Sequence, residues 1–186
     1  MRVFIALPIP PEIASAAAAV LPDVPGLRPV RPELLHVTLA FLGRVPDERL
    51  GEVLAACEDA AFTQQPFGIT LDRAGRFPDG GTPHVVWLGM GEGATESAAL
   101  AVAVRRALTT RELPFDAKPY RPHLTLARVK DDVDRATARA IAATAEGLRV
   151  PPLRFTAEAI VPFESVLSPK GPRYTPKAAV ALGRTA

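Results

Sequence analysis

The stretch that decides the fold is residues 36–40, His-Val-Thr-Leu-Ala, because the chain repeats it at residues 123–127 as His-Leu-Thr-Leu-Ala. An Arg-Pro pair precedes each copy, at residues 31–32 and 121–122. Both stretches are predicted to be β-strands, in which alternate side chains project from opposite faces. The histidine, threonine and alanine of each copy (Ala40 and Ala127) are therefore expected on one face. The intervening valine and leucines are expected on the other face, in a core.

Around these two strands the sequence predicts further strands and helices in an order that does not alternate strictly. The expected strands span residues 2–7, 35–42, 67–71, 84–88, 123–129, 153–162 and 174–182. The expected helices span residues 10–21, 46 to at least 57, 95–110, and a segment that Asp131 and Asp132 cap and that ends at Gly147. The fold class is therefore expected to be α+β, with two similar halves packed as lobes of one domain over residues 1–186.

The composition indicates a globular protein and excludes several kinds of site. Of 186 residues, 48% are hydrophobic and 23% are charged, and the net charge of +2 is too small for general attraction to nucleic acid. The single cysteine, Cys57, excludes an internal disulfide, and its place in an apolar helical stripe predicts a buried side chain. Because there are only three histidines, no membrane-length apolar run and no export signal, we expect a cytoplasmic monomer without metal, cofactor or membrane contact.

The paired motifs are the candidate catalytic residues. One His-x-Thr is uninformative, since a histidine and a threonine on a strand usually just complete hydrogen bonds, but two copies with matching flanks favour a function. Histidine titrates near neutral pH, so His36 and His123 on either side of one phosphate can serve as acid and base without a metal. Thr38, Thr125 and a nearby cation can hold the non-bridging oxygens, where charge must be stabilised as the bond breaks.

The residues around both motifs resemble those of the two-histidine phosphoesterases, and more closely the bacterial and archaeal RNA 2',3'-cyclic phosphodiesterases, first described as 2'-5' RNA ligases. The resemblance is carried by Phe-Ile-Ala-Leu at 4–7, Arg-Pro at 31–32 before the first motif, Trp-Leu-Gly at 87–89, Pro-His-Leu-Thr-Leu-Ala-Arg at 122–128, and Ser165, Gly171 and Tyr174. It implies two pseudo-twofold-related lobes, each with an antiparallel-type sheet and outer helices, and a central cleft lined by both motifs. It also implies metal-free hydrolysis of a terminal RNA 2',3'-cyclic phosphate to a 2'-phosphate.

The resemblance further implies a role for each residue. His36 would protonate the leaving O3', His123 would activate water, and Thr38 and Thr125 would bind phosphate oxygens. Arg128 would contact phosphate, although strand alternation places it with the leucines on the core side. A strand end or a β-bulge near Arg128 would turn it towards the phosphate.

Other side chains near the motifs are weaker candidates. Arg121 lies on the histidine face by alternation but is expected at the rim, and Arg31 is its counterpart in the first half. Phe77, in a Gly-rich loop, is a better candidate than Trp87 for stacking on a nucleobase, since Trp87 lies in an apolar strand. Phe41 is expected in the core, and His84 is expected merely to begin a strand.

Three alternatives remain open from the sequence. The same site can act on a 2'-5' linked or small cyclic nucleotide, or join RNA ends slowly, because the motifs contact only phosphate and ribose. A module that binds RNA ends without catalysis would retain the binding residues but show no turnover. A metal hydrolase is disfavoured, because neither five-residue motif contains a carboxylate that can ligate a metal.

Overall fold

The computed structural model describes residues 1–169 and 171–183, which form an α+β fold, as the sequence predicts. Its ten strands are β1 (Arg2–Pro8), β2 (Leu27–Pro29), β3 (His36–Arg44), β4 (Phe67–Phe77), β5 (Val85–Met90), β6 (His123–Val129), β7 (Leu153–Ala157), β8 (Ala159–Ser168), β9 (Gly171–Pro176) and β10 (Val180–Ala181). Its four α-helices are α1 (Pro11–Val20), α2 (Leu50–Phe62), α3 (Ala94–Thr110) and α4 (Arg135–Gly147). None of these helices is both long enough and apolar enough to cross a membrane.

The strands form one antiparallel sheet that brings the two histidine strands together at its centre. The order is β10-β8-β1-β3-β6-β5-β4-β7, with β2 also paired to β6 and β9 also paired to β8. Within the described residues, β3 and β6 pair only at Val37 and Leu124. The two histidine strands are thus neighbours that pair over a very short length. The arrangement of the two halves as pseudo-twofold lobes stays a prediction.

The helices and the sheet enclose the apolar residues that the strand pattern assigns to the core. Leu39 and Leu126 from the two motifs pack there with Val53 of α2 and Leu100 of α3. Cys57 is fully buried in the same cluster, and burial raises the pKa of its thiol to about 12. The cysteine is therefore a small core residue, as expected. A second cluster forms under α4, and its members are Leu27, Val86, Ala127, Ile141 and Ala145.

A shift in strand register overturns one prediction in both motifs. In β3, Thr38 pairs with Ala6 but Ala40 pairs with Ile5, so Leu39 is an extra residue. In β6, Thr125 pairs with Trp87 but Ala127 pairs with Val86, so Leu126 is extra in the same way. A β-bulge of this kind reverses the alternation that follows it. The prediction that the two alanines, Ala40 and Ala127, share the histidine face is therefore wrong; both are buried in the core.

Several predicted boundaries also differ from the structure. The cap of α4 is Asp134, whose Oδ1 accepts the backbone N–H of Thr137 at 2.7 Å, and not residues 131–132. The strand predicted over 153–162 is two strands, because β7 pairs with β4 near one edge of the sheet and β8 pairs with β1. The strand predicted over 174–182 is likewise divided, into β9 and β10. The strand predicted over 67–71 continues to Phe77, because its second half pairs with β5.

Candidate active site

A cavity of about 490 Å³ opens on the face of the sheet to which both histidine strands contribute. Both histidines and both threonines of the repeated motifs line it, so the structure brings the two motifs to one place. The full lining consists of Arg2, Phe4, Val30, Leu34, His36, Thr38, Phe41, His123, Thr125, Arg128, Ser165, Leu167, Pro172 and Tyr174.

The two imidazoles are held by the same local contact. Nδ1 of His36 lies 2.7 Å from the backbone oxygen of Leu34, and Nδ1 of His123 lies 2.6 Å from that of Arg121. A carbonyl oxygen can only accept, so Nδ1 carries the hydrogen in both rings and donates it. Each partner precedes its histidine by two residues, so the motif and its upstream flank are sufficient to orient the ring. Nε2 of each ring is left for a ligand in the cavity.

The environment lowers the proton affinity of both rings. Burial is the largest cause that lowers the pKa of His36 below the usual 6.5, and the positive charges of His123 and Arg128 lower it further. Burial also lowers the pKa of His123 most, with contributions from Arg121 and Arg128. In each ring the hydrogen bond to the backbone carbonyl acts in the opposite direction and raises the pKa. Both imidazoles are therefore mainly neutral at pH 7, and an anion in the cavity would favour protonation.

Aromatic side chains from distant parts of the chain surround His36. The ring of Phe4 stacks on His36 with centroids 4.6 Å apart, and Tyr174 meets it edge-on at 5.4 Å. Phe163 lies behind, 5.2 Å from the ring of Phe4. These contacts exclude water from one side of the imidazole and account for its burial.

His123 has a different and more open neighbourhood. The ring of Phe77 meets it edge-on at 4.9 Å, and Phe77 in turn packs on Trp87 at 5.2 Å. The guanidinium of Arg121 lies 4.5 Å from the centroid of Phe77 and pairs with Asp79 at 3.0 Å. Phe77 is thus already covered by protein groups, and its place in the structure is that of a support for His123. The prediction that it stacks on a nucleobase gains nothing from this geometry.

The same bulges that bury the alanines place Phe41 and Arg128 in the cavity. Each side chain lies five residues after its motif histidine, and each lines the cavity beyond the bulge. Strict alternation placed Arg128 on the core side, and the bulge removes that objection. The prediction that Phe41 belongs to the core is wrong. Arg31 and His84 do not belong to the lining, and Arg31 pairs with Glu33 at 3.3 Å.

The cavity is positively charged where an anion would bind. Two arginines, Arg2 and Arg128, belong to its described lining, and no carboxylate does. Residues 1–169 and 171–183 contain no group of three His, Cys, Asp or Glu side chains arranged to hold a metal ion. The arrangement can therefore hold an anion such as a phosphate between two imidazoles, with cations and hydroxyl groups around it.

Sequence reasoning did not assign Arg2, Phe4, Phe163 or a contact of Tyr174 with His36 to the site. Phe4 lies in a predicted strand, whose apolar pattern is equally typical of a core, and Phe163 directly follows the strand predicted over 153–162. Only the order of the strands, with β1 between β3 and β8, brings these rings to the histidine. The Ser165, Gly171 and Tyr174 pattern was a usable signal, since Ser165 and Tyr174 both line the cavity.

Comparison with known proteins finds one matching family and several relatives. Residues 9–164 match the model of the 2'-5' RNA ligase superfamily. The RNA 2',3'-cyclic phosphodiesterase of Archaeoglobus fulgidus is 33% identical over 180 residues, which cover 94% of this chain and 96% of that protein. Among solved structures, TT0787 of Thermus thermophilus is 32% identical with a TM-score of 0.78, and 98% of each chain is covered. Escherichia coli LigT complexed with 3'-AMP is 28% identical with a TM-score of 0.73, again with 98% of each chain covered.

Proposed function

Because this chain belongs to the 2'-5' RNA ligase superfamily, we propose that it is an RNA 2',3'-cyclic phosphodiesterase, which hydrolyses a terminal cyclic phosphate to a 2'-phosphate. The observation that carries the proposal is that two imidazoles, each with Nδ1 bonded to a backbone carbonyl, line one positively charged cavity. Relatives that match most of the chain carry the name RNA 2',3'-cyclic phosphodiesterase. The proposed substrate is an RNA end because that is the substrate in their name.

The proposed reaction uses one histidine as base and the other as acid. Nε2 of His123 takes a proton from water, and the water oxygen forms a new bond to phosphorus. The bond between phosphorus and O3' breaks, and O3' takes the proton from Nε2 of His36. The product is a 2'-phosphate with a free 3'-hydroxyl, and the two imidazoles have exchanged protonation states. Each transfer is expected to contribute about 10²–10⁴ in rate.

The remaining polar residues of the cavity act on the phosphate itself. Thr38 and Thr125 lie beside the histidines, where their hydroxyls can donate to the non-bridging oxygens. Arg128 supplies a positive charge on the same face. The negative charge of the bound phosphate favours protonation of a neighbouring imidazole and so opposes the effect of burial on His36.

We propose that the reaction needs no metal and that the chain is one catalytic domain of two related halves. The polar groups that line the cavity suit an anion better than a divalent cation, because two guanidiniums carry positive charge and no carboxylate belongs to the described lining. The two halves share the motif, the bulge at Leu39 and Leu126, and the histidine contact to a carbonyl two residues earlier. This repetition supports the proposal that the two halves arose by duplication.

An assay of products tests the proposed function. A short RNA that ends in a 2',3'-cyclic phosphate is incubated with the protein in excess chelator, and the phosphate position in the product is determined by its resistance to a 3'-specific phosphatase. We expect a 2'-phosphate at a rate that the chelator does not change. A 3'-phosphate would reverse the proposed polarity, and loss of activity in chelator would overturn metal independence. Tight binding without turnover would identify a binding module, and joining to a 5'-hydroxyl strand would identify a ligase.

A further inference from the structure

The catalytic cavity continues into a second groove that the proposed reaction does not use. This groove, of about 760 Å³, shares Arg2, Phe41, Ser165 and Leu167 with the catalytic cavity. Beyond these residues it extends along the end of β3 to Arg44 and along β8 to Val166. We call this extension the Arg44 groove. Because the two spaces share these residues, they are adjacent on the surface of the protein.

A second irregularity in β3 cancels the reversal caused by the first and so keeps Arg44 on the face of this groove. Phe41 pairs with Phe4 and Gly43 pairs with Val3, so Leu42 is an extra residue in the same way as Leu39. The residues of β3 on the open face are therefore His36, Thr38, Phe41 and Arg44. Strict alternation would instead place residues 36, 38, 40, 42 and 44 there. At about 3.3 Å per residue, the eight steps from His36 to Arg44 span at most roughly 26 Å. That length accommodates several nucleotides of an extended strand.

The charges of the groove are uncompensated. Arg44 lies directly opposite Arg2 in the register of β1 and β3, and like charges in that position repel one another. Neither arginine forms an ion pair with a carboxylate in the described ranges 1–169 and 171–183, and the guanidinium of Arg2 rests 5.0 Å from the centroid of Phe41. The carboxylate of the groove, Glu164, already pairs with Lys177. The surface is therefore complementary to a polyanion.

Part of the groove lining is apolar and exposed. Val166 is 41% exposed and Leu167 is 65% exposed, although both are large hydrophobic residues. They lie near the end of β8 and belong to the same lining as the two arginines. A groove lined by both cations and apolar side chains is suited to a single nucleic-acid strand, which presents both phosphates and bases.

We propose that the Arg44 groove binds the RNA strand on the 5' side of the reacting end. A 2',3'-cyclic phosphate terminates the 3' end, so the rest of the strand leaves the catalytic cavity in the 5' direction. Its backbone phosphates contact Arg2 and Arg44, and its bases contact Val166 and Leu167. The inference rests on the proposed function and narrows it, because it makes the preferred substrate an oligonucleotide and not a cyclic mononucleotide.

The test compares two substrates in the parent protein and in variants of Arg44. The substrates are uridine 2',3'-cyclic phosphate and a pentauridylate with the same cyclic end. We expect the parent to have a higher kcat/KM for the pentanucleotide, and Arg44→Gln to lower the ratio of the two values about tenfold, since a charge-assisted contact is lost. Arg44→Glu should lower the ratio further. Arg106→Gln removes the same charge from an exposed position of α3 that does not line the groove, and should leave the ratio unchanged.

A binding measurement separates this inference from the proposed function. The affinity for a labelled pentauridylate with an ordinary 3'-hydroxyl is measured by fluorescence anisotropy at several salt concentrations. Loss of one phosphate contact in Arg44→Gln should weaken binding and reduce the slope of log K against log salt by about 0.7. If the parent hydrolyses neither substrate but shows this dependence, the groove stands and the proposed function fails. If Arg44→Glu changes neither the substrate ratio nor the affinity, the groove does not bind RNA.

Discussion

The two walls of the histidine cavity share their local structure but differ in their surroundings. In both walls Nδ1 of the histidine contacts the backbone oxygen two residues earlier, and a bulge follows the threonine. Around His36 the neighbours are Phe4 and Tyr174, from strands at the two ends of the chain. Around His123 they are Phe77, which is half-buried, and Arg121, which is exposed. The motif thus orients each ring, whereas the rest of the fold decides how strongly each ring holds a proton.

Two histidines that are proposed to act as acid and base need the same orientation towards the phosphate but different environments. An acid and a base built from the same residue type must differ in something other than their own side chains. Five residues after the histidine, the first motif has Phe41, on whose ring the guanidinium of Arg2 rests, whereas the second motif has Arg128 itself. The asymmetry is therefore built from neighbours of the motifs.

The largest expected effect comes from removing either histidine. We expect His36→Gln and His123→Gln each to lower kcat/KM for the cyclic-phosphate RNA by about 10²–10⁴, because each removes one proton transfer. His84→Gln is the matched control, since this third histidine lies outside the cavity lining. If one of the two motif variants retained nearly full activity with unchanged thermal stability, only one wall would take part in the chemistry.

A smaller effect is expected from the charge of Arg128. Arg128→Gln should lower kcat/KM about 10–100-fold, as is typical for the loss of a hydrogen bond from a charged group. Because Arg128 lowers the pKa of both His36 and His123, its removal should also raise both pKa values in an NMR titration. Arg128→Lys should recover part of both effects. Unaltered titration curves would show that Arg128 points away from the imidazoles.

The threonines test whether the two walls hold the phosphate equally. Thr38→Val and Thr125→Val should each lower kcat/KM by up to about tenfold, the value of one neutral hydrogen bond. Serine at either position keeps the hydroxyl and should restore most of the rate. If only one of the two valine variants lowered kcat/KM, only that threonine would donate a hydrogen bond to the phosphate.

The smallest effects concern the pH dependence. The pKa values of both imidazoles lie below 6.5 in the free protein, mainly because of burial. Below the lower value the base is protonated, and above the higher value the acid is deprotonated, so kcat/KM should be bell-shaped with its maximum below pH 6.5. The profile of kcat should lie at higher pH, because bound phosphate favours the imidazolium form. A maximum of kcat/KM above pH 7.5 would contradict the assignment.

Two aromatic variants test how the surroundings of each histidine set the pKa of its imidazole. Tyr174→Ala should admit water to His36 and raise the pKa of that ring towards 6.5, while the pKa of His123 stays unchanged. Phe77→Ala should raise the pKa of His123 and leave that of His36. The rate is expected to change only severalfold, and the two resonances are followed separately by NMR. Equal movement of both rings in either variant would show that the two environments are not independent.

The sequence was sufficient to predict which polar residues line the cavity as a pair, because they are repeated. His36 and His123 with their threonines stand out as a pair, and their contact to a carbonyl two residues earlier is local. The strands of both motifs and the helical stripe that buries Cys57 follow from periodicity alone. The family resemblance implied that Arg128 contacts phosphate, although strand alternation placed this residue on the core side. In the structure, the bulge at Leu126 brings Arg128 into the cavity lining.

Strand alternation failed at Ala40, Ala127 and Phe41 for one physical reason. A bulge is created by the partner strand, since the extra residue exists only relative to the residues it fails to pair with. Leu39 and Leu126 become extra because Ala6 and Trp87 pair with the threonines before them. The motif sequences alone do not indicate a bulge, so strict alternation of side chains was predicted.

By itself, therefore, the amino-acid sequence determined which side chains are chemically competent and how each histidine is oriented, because both depend on residues close along the chain. The tertiary structure decided that the two strands are neighbours and that Phe4, Phe163 and Tyr174 bury His36. It also decided that Phe41 and Arg128 face the open side of the sheet. Burial and register depend on contacts between residues far apart in the chain, and these exist only once the sheet has closed in its final order.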